Sequence, residues 1–270
     1  MTDDWMEGPE AARSYLRPLH ERRFPSLRLR HRVGCTGARI VLTKCEQQDL
    51  EAIVSHRRLE RGQMLVGEGD TPKYAYGILS GGLKLFKCLR DGRTQMTGYL
   101  IPGDFLGLPP RGAYPYSVEA YAETVLCQFP VACLQKVFER HPRLRTWLHE
   151  ITYDDLAAAQ EHMLLLGRKT MMERVCTFLI GLLNRVEEIK GPVDKLTIPL
   201  LRNEIAEYLG VTMETVSRSF SRLQRDGLIS IEHANDFRIL DRAELRAIAN
   251  GARSKERSTR QRGACSSAVV

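Results

Sequence analysis

The sequence predicts an α+β chain made of an amino-terminal antiparallel β-roll, one long helix and a carboxy-terminal winged helix-turn-helix. Three observations carry this. Between residues 63 and 129, short apolar β-runs recur at spacings of about 8 to 12 residues with Gly and Asp-Gly turns between them. From Pro142 to Gly167 a helical pattern opens on a proline and closes on a glycine. From Arg202 to Arg218, RNEIAEYLGVTMETVSR sets two stretches of helical spacing on either side of a glycine.

Taken in order, residues 1–38 read as a basic flexible arm, rich in Arg and without periodicity, in which only Pro9 to Leu19 could form a short helix. Residues 39–140 read as the roll. A helical segment from Ile40 to Val54 leads into runs at Gln63 to Val66, Tyr74 to Ser80, Leu83 to Leu89, Thr94 to Leu100, Tyr116 to Ala120 and Thr124 to Phe129. Asp91-Gly92 is the strongest hairpin signal, because both residues tolerate the positive φ that a tight turn demands. Residues 141–168 are the long helix, where Leu144, Leu148, Ile151, Ala158 and Leu165 fall on a seven-residue frame and predict a homodimer seam. Asp155 and His162 take two other places of that frame, so packing against the roll is the alternative. Ala157 to Ala159 would let two backbones approach closely. A second helix, Thr170 to Val186, opens the unit spanning 169–251, and residues 252–270 read as a basic disordered tail.

Within that last unit, counting from Arg202, Ala206 is fifth and Gly210 ninth, which is where two crossing helices need a small side chain and a permissive backbone. Thr212 can cap the second helix. That helix carries Glu214, Ser217 and Arg218 on one face, a trio suited to base edges in the major groove. A carboxylate accepts from cytosine N4, and a guanidinium forks onto guanine O6 and N7. Arg202, Thr212 and Arg222 are placed for the DNA backbone. The alternative is a bare Glu214–Arg218 surface pair. Ser219 stands where such motifs usually hold an apolar residue, so Phe220 and Leu223 must cover that part of the core. Leu196 to Leu200 offers a strand for the hairpin formed by Gly227 to Glu232 and Phe237 to Leu240, which reads as a wing.

Composition fits two globular units: 270 residues, 43% apolar, and a net charge of +7 that is permissive for a polyanionic partner. No run approaches the ~18 apolar residues of a membrane span. The amino terminus holds Asp3 and Asp4 where a signal peptide needs positive charge, so a cytoplasmic protein is expected. The seven cysteines are odd in number, dispersed and without a C-x-x-C pair, which argues against a disulfide framework. There is no P-loop, nucleophile elbow, His-Glu-x-x-His or convincing carboxylate pair, so no enzyme is expected.

The order and spacing of YAYGILSGGLKLFKCLRDGR, IPGDFLGL, AETVLCQFP and the motif ending METVSR resemble the CRP/FNR superfamily of bacterial transcription regulators over about residues 40–250. The helix-turn-helix is most similar to the FixK-like and fumarate–nitrate regulator branch. That resemblance implies a cyclic-nucleotide-binding-like jelly roll, a homodimer on palindromic double-stranded DNA with TTGAT- or TTGAC-like half-sites, contact with RNA polymerase, and genes of microaerobic, anaerobic or nitrogen metabolism.

The sensed signal is tested against residues. Cyclic-nucleotide binders of this family place Gly-Glu and Arg-Ser or Arg-Thr where this chain has Gly107-Leu108 and Tyr116-Ser117, which leaves a phosphate without its cation unless Arg111 substitutes. An iron–sulfur cluster needs four converging thiolates; Cys127 matches one family position, but the arm offers only Cys35, with Cys45 ten residues on, and would have to recruit Cys88 or Cys133. His56 and His149 have no spacing that suggests haem. No cofactor is therefore expected, and control by abundance or by a single thiol such as Cys176 remains.

Overall fold

A computed structural model describes residues 42–109, 112–233 and 235–251. The expected arm with its Pro9 to Leu19 segment, the tail, Cys35 and Arg111 lie outside the described residues.

Helix α1 (Lys44–Glu51) is shorter than the expected Ile40 to Val54 segment and begins at a reciprocal cap. The Thr43 hydroxyl accepts the Glu46 N–H at 3.3 Å, and the Glu46 carboxylate accepts the Thr43 N–H at 2.7 Å. The roll follows as β1 (Ser55–Leu59), β2 (Met64–Val66), β3 (Tyr74–Ser80), β4 (Leu83–Cys88), β5 (Thr94–Leu100), β6 (Phe105–Leu106), β7 (Ser117–Ala120) and β8 (Thr124–Pro130). Two four-stranded antiparallel sheets face each other, ordered β1-β8-β3-β6 and β2-β7-β4-β5. Strand β1 escaped sequence reading because SHRRL buries only Leu59; its pairing with β8, Ser55 opposite Gln128 through Leu59 opposite Thr124, is what makes it a strand. At the Asp91-Gly92 hairpin Gly92 has φ +87°, and Leu89 N donates to Arg93 O at 2.8 Å.

Helix α2 (Val131–Arg140), also unexpected, precedes α3 (Pro142–Arg168), the long helix. Here the structure corrects the expected seam. Leu144 and Ile151 are buried with Phe105, Phe129 and Trp147, Leu148 packs against the same cluster, and Leu165 is buried in the carboxy-terminal core. Ala158 is half-buried. The chain itself therefore takes up Leu144, Leu148, Ile151 and Leu165, because α3 carries two apolar stripes and the roll and the carboxy-terminal core cover one of them. The outward stripe is Tyr153, Leu156, Met163 and Leu164, which are 74%, 55%, 64% and 54% exposed.

Helix α4 (Met171–Lys190) starts at Thr170, whose N–H donates to the Glu173 carboxylate at 2.7 Å. It runs beside the roll and carries Arg185 to the buried Asp104. This ion pair joins the two units. Asp104 also accepts the Ile101 N–H at 2.8 Å, while Arg185 donates to Tyr99 O at 3.3 Å and lies 5.0 Å above the Tyr99 ring. Burial by itself pushes the Arg185 guanidinium down, and the Asp104 carboxylate more than reverses this. Beyond α4 come β9 (Lys195–Thr197), α5 (Arg202–Leu209), α6 (Met213–Arg225), β10 (Ile229–His233), β11 (Asp236–Ile239) and α7 (Arg242–Ala249). One apolar cluster runs from Met96, Tyr99 and Tyr121 of the roll into Phe178, Leu182, Ile205 and Leu209.

Removing one partner of a buried pair leaves an uncompensated charge. Asp104→Asn is expected to destabilise the protein by about 3 to 5 kcal/mol, read from the urea midpoint, with part of the loss recovered in Asp104→Asn, Arg185→Met.

Candidate nucleic-acid interface

The interface is built by α5, the turn Gly210-Val211-Thr212 and α6. Gly210 ends α5 with φ +66°, and a Cβ there would lie 3.0 Å from Leu166 Cδ2, so both backbone and space call for glycine. Val211 N closes the turn by donating to Ala206 O at 3.0 Å, and Ala206 is buried at the crossing, where a larger side chain would hold the helices apart. The carbonyl end of α5 is fastened by Arg174 of α4. Its guanidinium donates to Leu209 O at 2.8 Å and to Leu166 O at 2.8 Å, tying the first helix of the motif to the end of α3.

Thr212 is the N-cap of α6, its hydroxyl accepting the Thr215 N–H at 3.3 Å. The helix is amphipathic. Val216, Ser219, Phe220 and Leu223 are buried, while Glu214, Ser217, Arg218, Ser221 and Arg222 are exposed. Ser219 is accommodated because its hydroxyl donates to Thr215 O at 2.8 Å, and Phe220 and Leu223 fill the core around it as expected. The Glu214 backbone N–H, then the Thr212 hydroxyl and the Arg218 charge, hold the Glu214 carboxyl below the usual carboxylate range, which keeps an acceptor for a base amine at neutral pH. Met213, passed over in sequence reading, is 48% exposed at the first position of α6. Its signal was an apolar residue on an otherwise polar face, and it can meet a thymine methyl group.

Arg202 is a correction. Its guanidinium lies 4.2 Å from the Phe220 ring centre and 5.0 Å from that of Phe237, and the two rings are themselves 5.0 Å apart. Stacked and half-buried, with burial pushing its pKa down, Arg202 pins the start of α5 to α6 and to the wing and is not presented to phosphate. Arg222 stays exposed, 3.6 Å from Asp226.

The wing is the β10-β11-β9 sheet, with Leu196 opposite Phe237. Lys195 lies 3.1 Å from both Glu232 and Asp236, and Arg238 lies 3.0 Å from Glu232, so these wing cations are already countered. On α6, among the described residues, the exposed charges meet only neighbours on the same helix or its cap, Arg218 with Glu214 and Arg222 with Asp226.

In the roll, Tyr76, Leu106, Tyr114 and Val118 fill the interior. Burial and the Asp155 carboxylate of α3 push the Tyr116 phenol up to about 12. A phosphate beside Tyr116 would face a phenol and a carboxylate, and Arg111, the cation that could meet it, lies outside the described residues. Burial also pushes the Cys127 and Cys176 thiols up to about 12, which disfavours the reactive thiolate at both. Cys45 and Cys88 are exposed.

The Crp-like helix-turn-helix domain matches residues 173–248, and the cyclic nucleotide-binding domain matches residues 56–141. The chain is 36% identical over 208 residues to the nitrogen fixation regulation protein FixK of Bradyrhizobium diazoefficiens, covering 77% of this chain and 87% of that one. It is 36% identical over 225 residues to the transcriptional activator FnrL of Cereibacter sphaeroides, covering 80% and 88%. Among solved structures, FixK2 from Bradyrhizobium japonicum superposes with a TM-score of 0.68 at 30% identity, over 73% of this chain and 97% of that one. A CooA mutant from Carboxydothermus hydrogenoformans, at 17% identity and a TM-score of 0.61, shares the fold. A β-roll, a long helix and a winged helix-turn-helix in this order, together with these relatives, place the chain in the CRP/FNR family of transcription regulators, as a FixK-like member.

Proposed function

We propose that this chain is a homodimeric activator in the cytoplasm that reads a palindromic operator with α6 and engages RNA polymerase. The observation that carries the reading is the exposed face of α6, where Glu214, Ser217 and Arg218 stand free of the roll while the opposite face is buried. Arg218 forks onto guanine, Glu214 accepts from a cytosine amine, and Ser217 and Met213 meet neighbouring thymines. This favours half-sites of the TTGAT or TTGAC type. Thr212 and Arg222 serve the phosphates. Relatives named as a nitrogen fixation regulator and as transcriptional activators support a role in nitrogen- or low-oxygen-related gene control. The tyrosine-filled roll and the buried thiols support a regulator without a bound cofactor, whose output follows its abundance.

The dimer is assigned to the outward stripe of α3. Tyr153, Leu156, Met163 and Gly167 are three, seven and four residues apart, with Gln160 at the intervening place, which keeps them on the seven-residue frame of a two-helix seam. A two-fold axis along α3 would set the reading helices about 34 Å apart, one helical turn of DNA.

Three outcomes are expected. Leu156→Glu should split the dimer in sedimentation while leaving the monomer folded, whereas Ile151→Glu should unfold the roll; an intact Leu156→Glu dimer would move the seam elsewhere. In operator selection from a random pool, Arg218→Ala should relax the guanine preference and cost about 1 to 3 kcal/mol per half-site, and an unchanged consensus would refute its base-reading role. Arg222→Ala should weaken all sequences alike and lower the salt slope by about 1, while Arg202→Met should weaken binding with the slope unchanged, because its cation stacks on rings rather than meeting a phosphate.

A further inference from the structure

His162 lies on α3, buried at the corner where the roll meets the helix-turn-helix. Its Nδ1 is 3.2 Å from Thr97 O of β5, and its Nε2 is 2.9 Å from Tyr208 O in the last turn of α5. Both neighbours are backbone carbonyls, which only accept. A neutral imidazole donates from one ring nitrogen and offers a lone pair at the other, so it can satisfy one of these carbonyls and must set its lone pair against the second. Only the imidazolium donates to both.

The surroundings suit a cation. The His162 ring centre is 4.2 Å from that of Tyr208, and Tyr208 O belongs to the negative end of α5, where Arg174 already takes the next carbonyl, Leu209 O. The other ionisable groups packed around this corner are Tyr99 of β5, 5.3 Å from Tyr208; Arg185 of α4 over Tyr99; and Glu207 of α5, whose carboxyl burial pushes up. Farther along the same edge, Arg61 lies 3.0 Å from Glu204.

We propose that His162 is a proton-operated latch: charged, it fastens α5 to strand β5 of the roll, and on losing its proton it releases one of the two. His162 shares α3 with the outward stripe, so the latch fixes the angle between the dimer axis and the reading helix. Its consequence for operator affinity rests on the DNA-reading role of α6 proposed above. The docked arrangement holds while both ring nitrogens carry protons and is released when one of them is lost. Without the latch, α5 keeps the Gln95 side chain on Glu207 O, at 2.6 Å, and the Arg61–Glu204 pair.

The test uses the full-length protein without DNA. Hydrogen exchange at the Leu209 and Gly210 amides, corrected for intrinsic rates and referenced to the Ala75 to Ile78 amides of the roll, is expected to speed up about tenfold between pH 6 and pH 8, since a charge-assisted hydrogen bond is worth at least the ~1.4 kcal/mol of one factor of ten. In His162→Gln the two pH values should give the same protection. An equal speeding in His162→Gln, or none in the wild type, overturns the latch. Should that variant fail to fold, the nitrogen-15 spectrum of the wild-type histidines decides: two ring N–H groups on His162 at pH 6 support the proposal, and a single tautomer with α5 still protected refutes it. Operator titrations at both pH values separate the two readings. A latch that opens in the free protein while no operator is bound at either pH would sink the DNA-reading role alone.

Discussion

Tyr99 is the point on which the arrangement of the two units depends. Its ring meets Phe178 edge-on at 6.0 Å and Tyr208 edge-on at 5.3 Å, so a strand of the roll, the helix α4 and the first helix of the helix-turn-helix share one apolar cluster. Aromatic side chains bring a large buried area to such a junction and prefer this edge-to-face geometry. Polar contacts then fix its register. Asp104 with Arg185, Arg174 on the end of α5, and Gln95 on Glu207 O each join chain segments far apart in sequence, and none of them can slide without leaving a buried polar group unmet.

That shared core explains why α6 can be both exposed on one face and firmly held on the other. Helix α6 buries its own Val216, Phe220 and Leu223 in that core and is held at its amino end by the Thr212 cap. Its partner α5 is pinned at one end by Arg202 between two rings and at the other by Arg174. Arg202 and Arg174, placed inside the unit, hold the angle of the helix pair, and Glu214, Arg218 and Arg222 remain on the exposed face of α6. The roll contributes a platform. Its interior is filled by Tyr76, Tyr114 and Val118, and its outer surface packs against α3, α4 and α5.

Much of this was legible in the chain before folding. The strands from Tyr74 to Ser80 and Thr94 to Leu100, the Asp91-Gly92 hairpin, the span of α3 and the Ala206–Gly210–Thr212 framework all follow from local rules: alternation, turn chemistry, caps and helical period. The exposed trio Glu214, Ser217 and Arg218 follows from the same rules, because an amphipathic helix with one apolar face must present the other. Strand β1 was not legible, since SHRRL becomes a strand through its pairing with β8.

What only the tertiary structure decided concerns which partner each surface meets. The heptad frame of α3 announced apolar stripes but not which one the roll would cover; Leu144 and Ile151 go inward because Phe105 and Trp147 wait there, and Tyr153 and Leu156 are left outside. The charge of Arg202 was visible, but the rings of Phe220 and Phe237 that receive it come from α6 and β11. His162 looked like a flaw in a seam and sits between two carbonyls from β5 and α5. Local sequence sets periodicity, caps and turns because their partners lie within a few residues. The occupants of a face are set by long-range packing, and for that the chain has to fold.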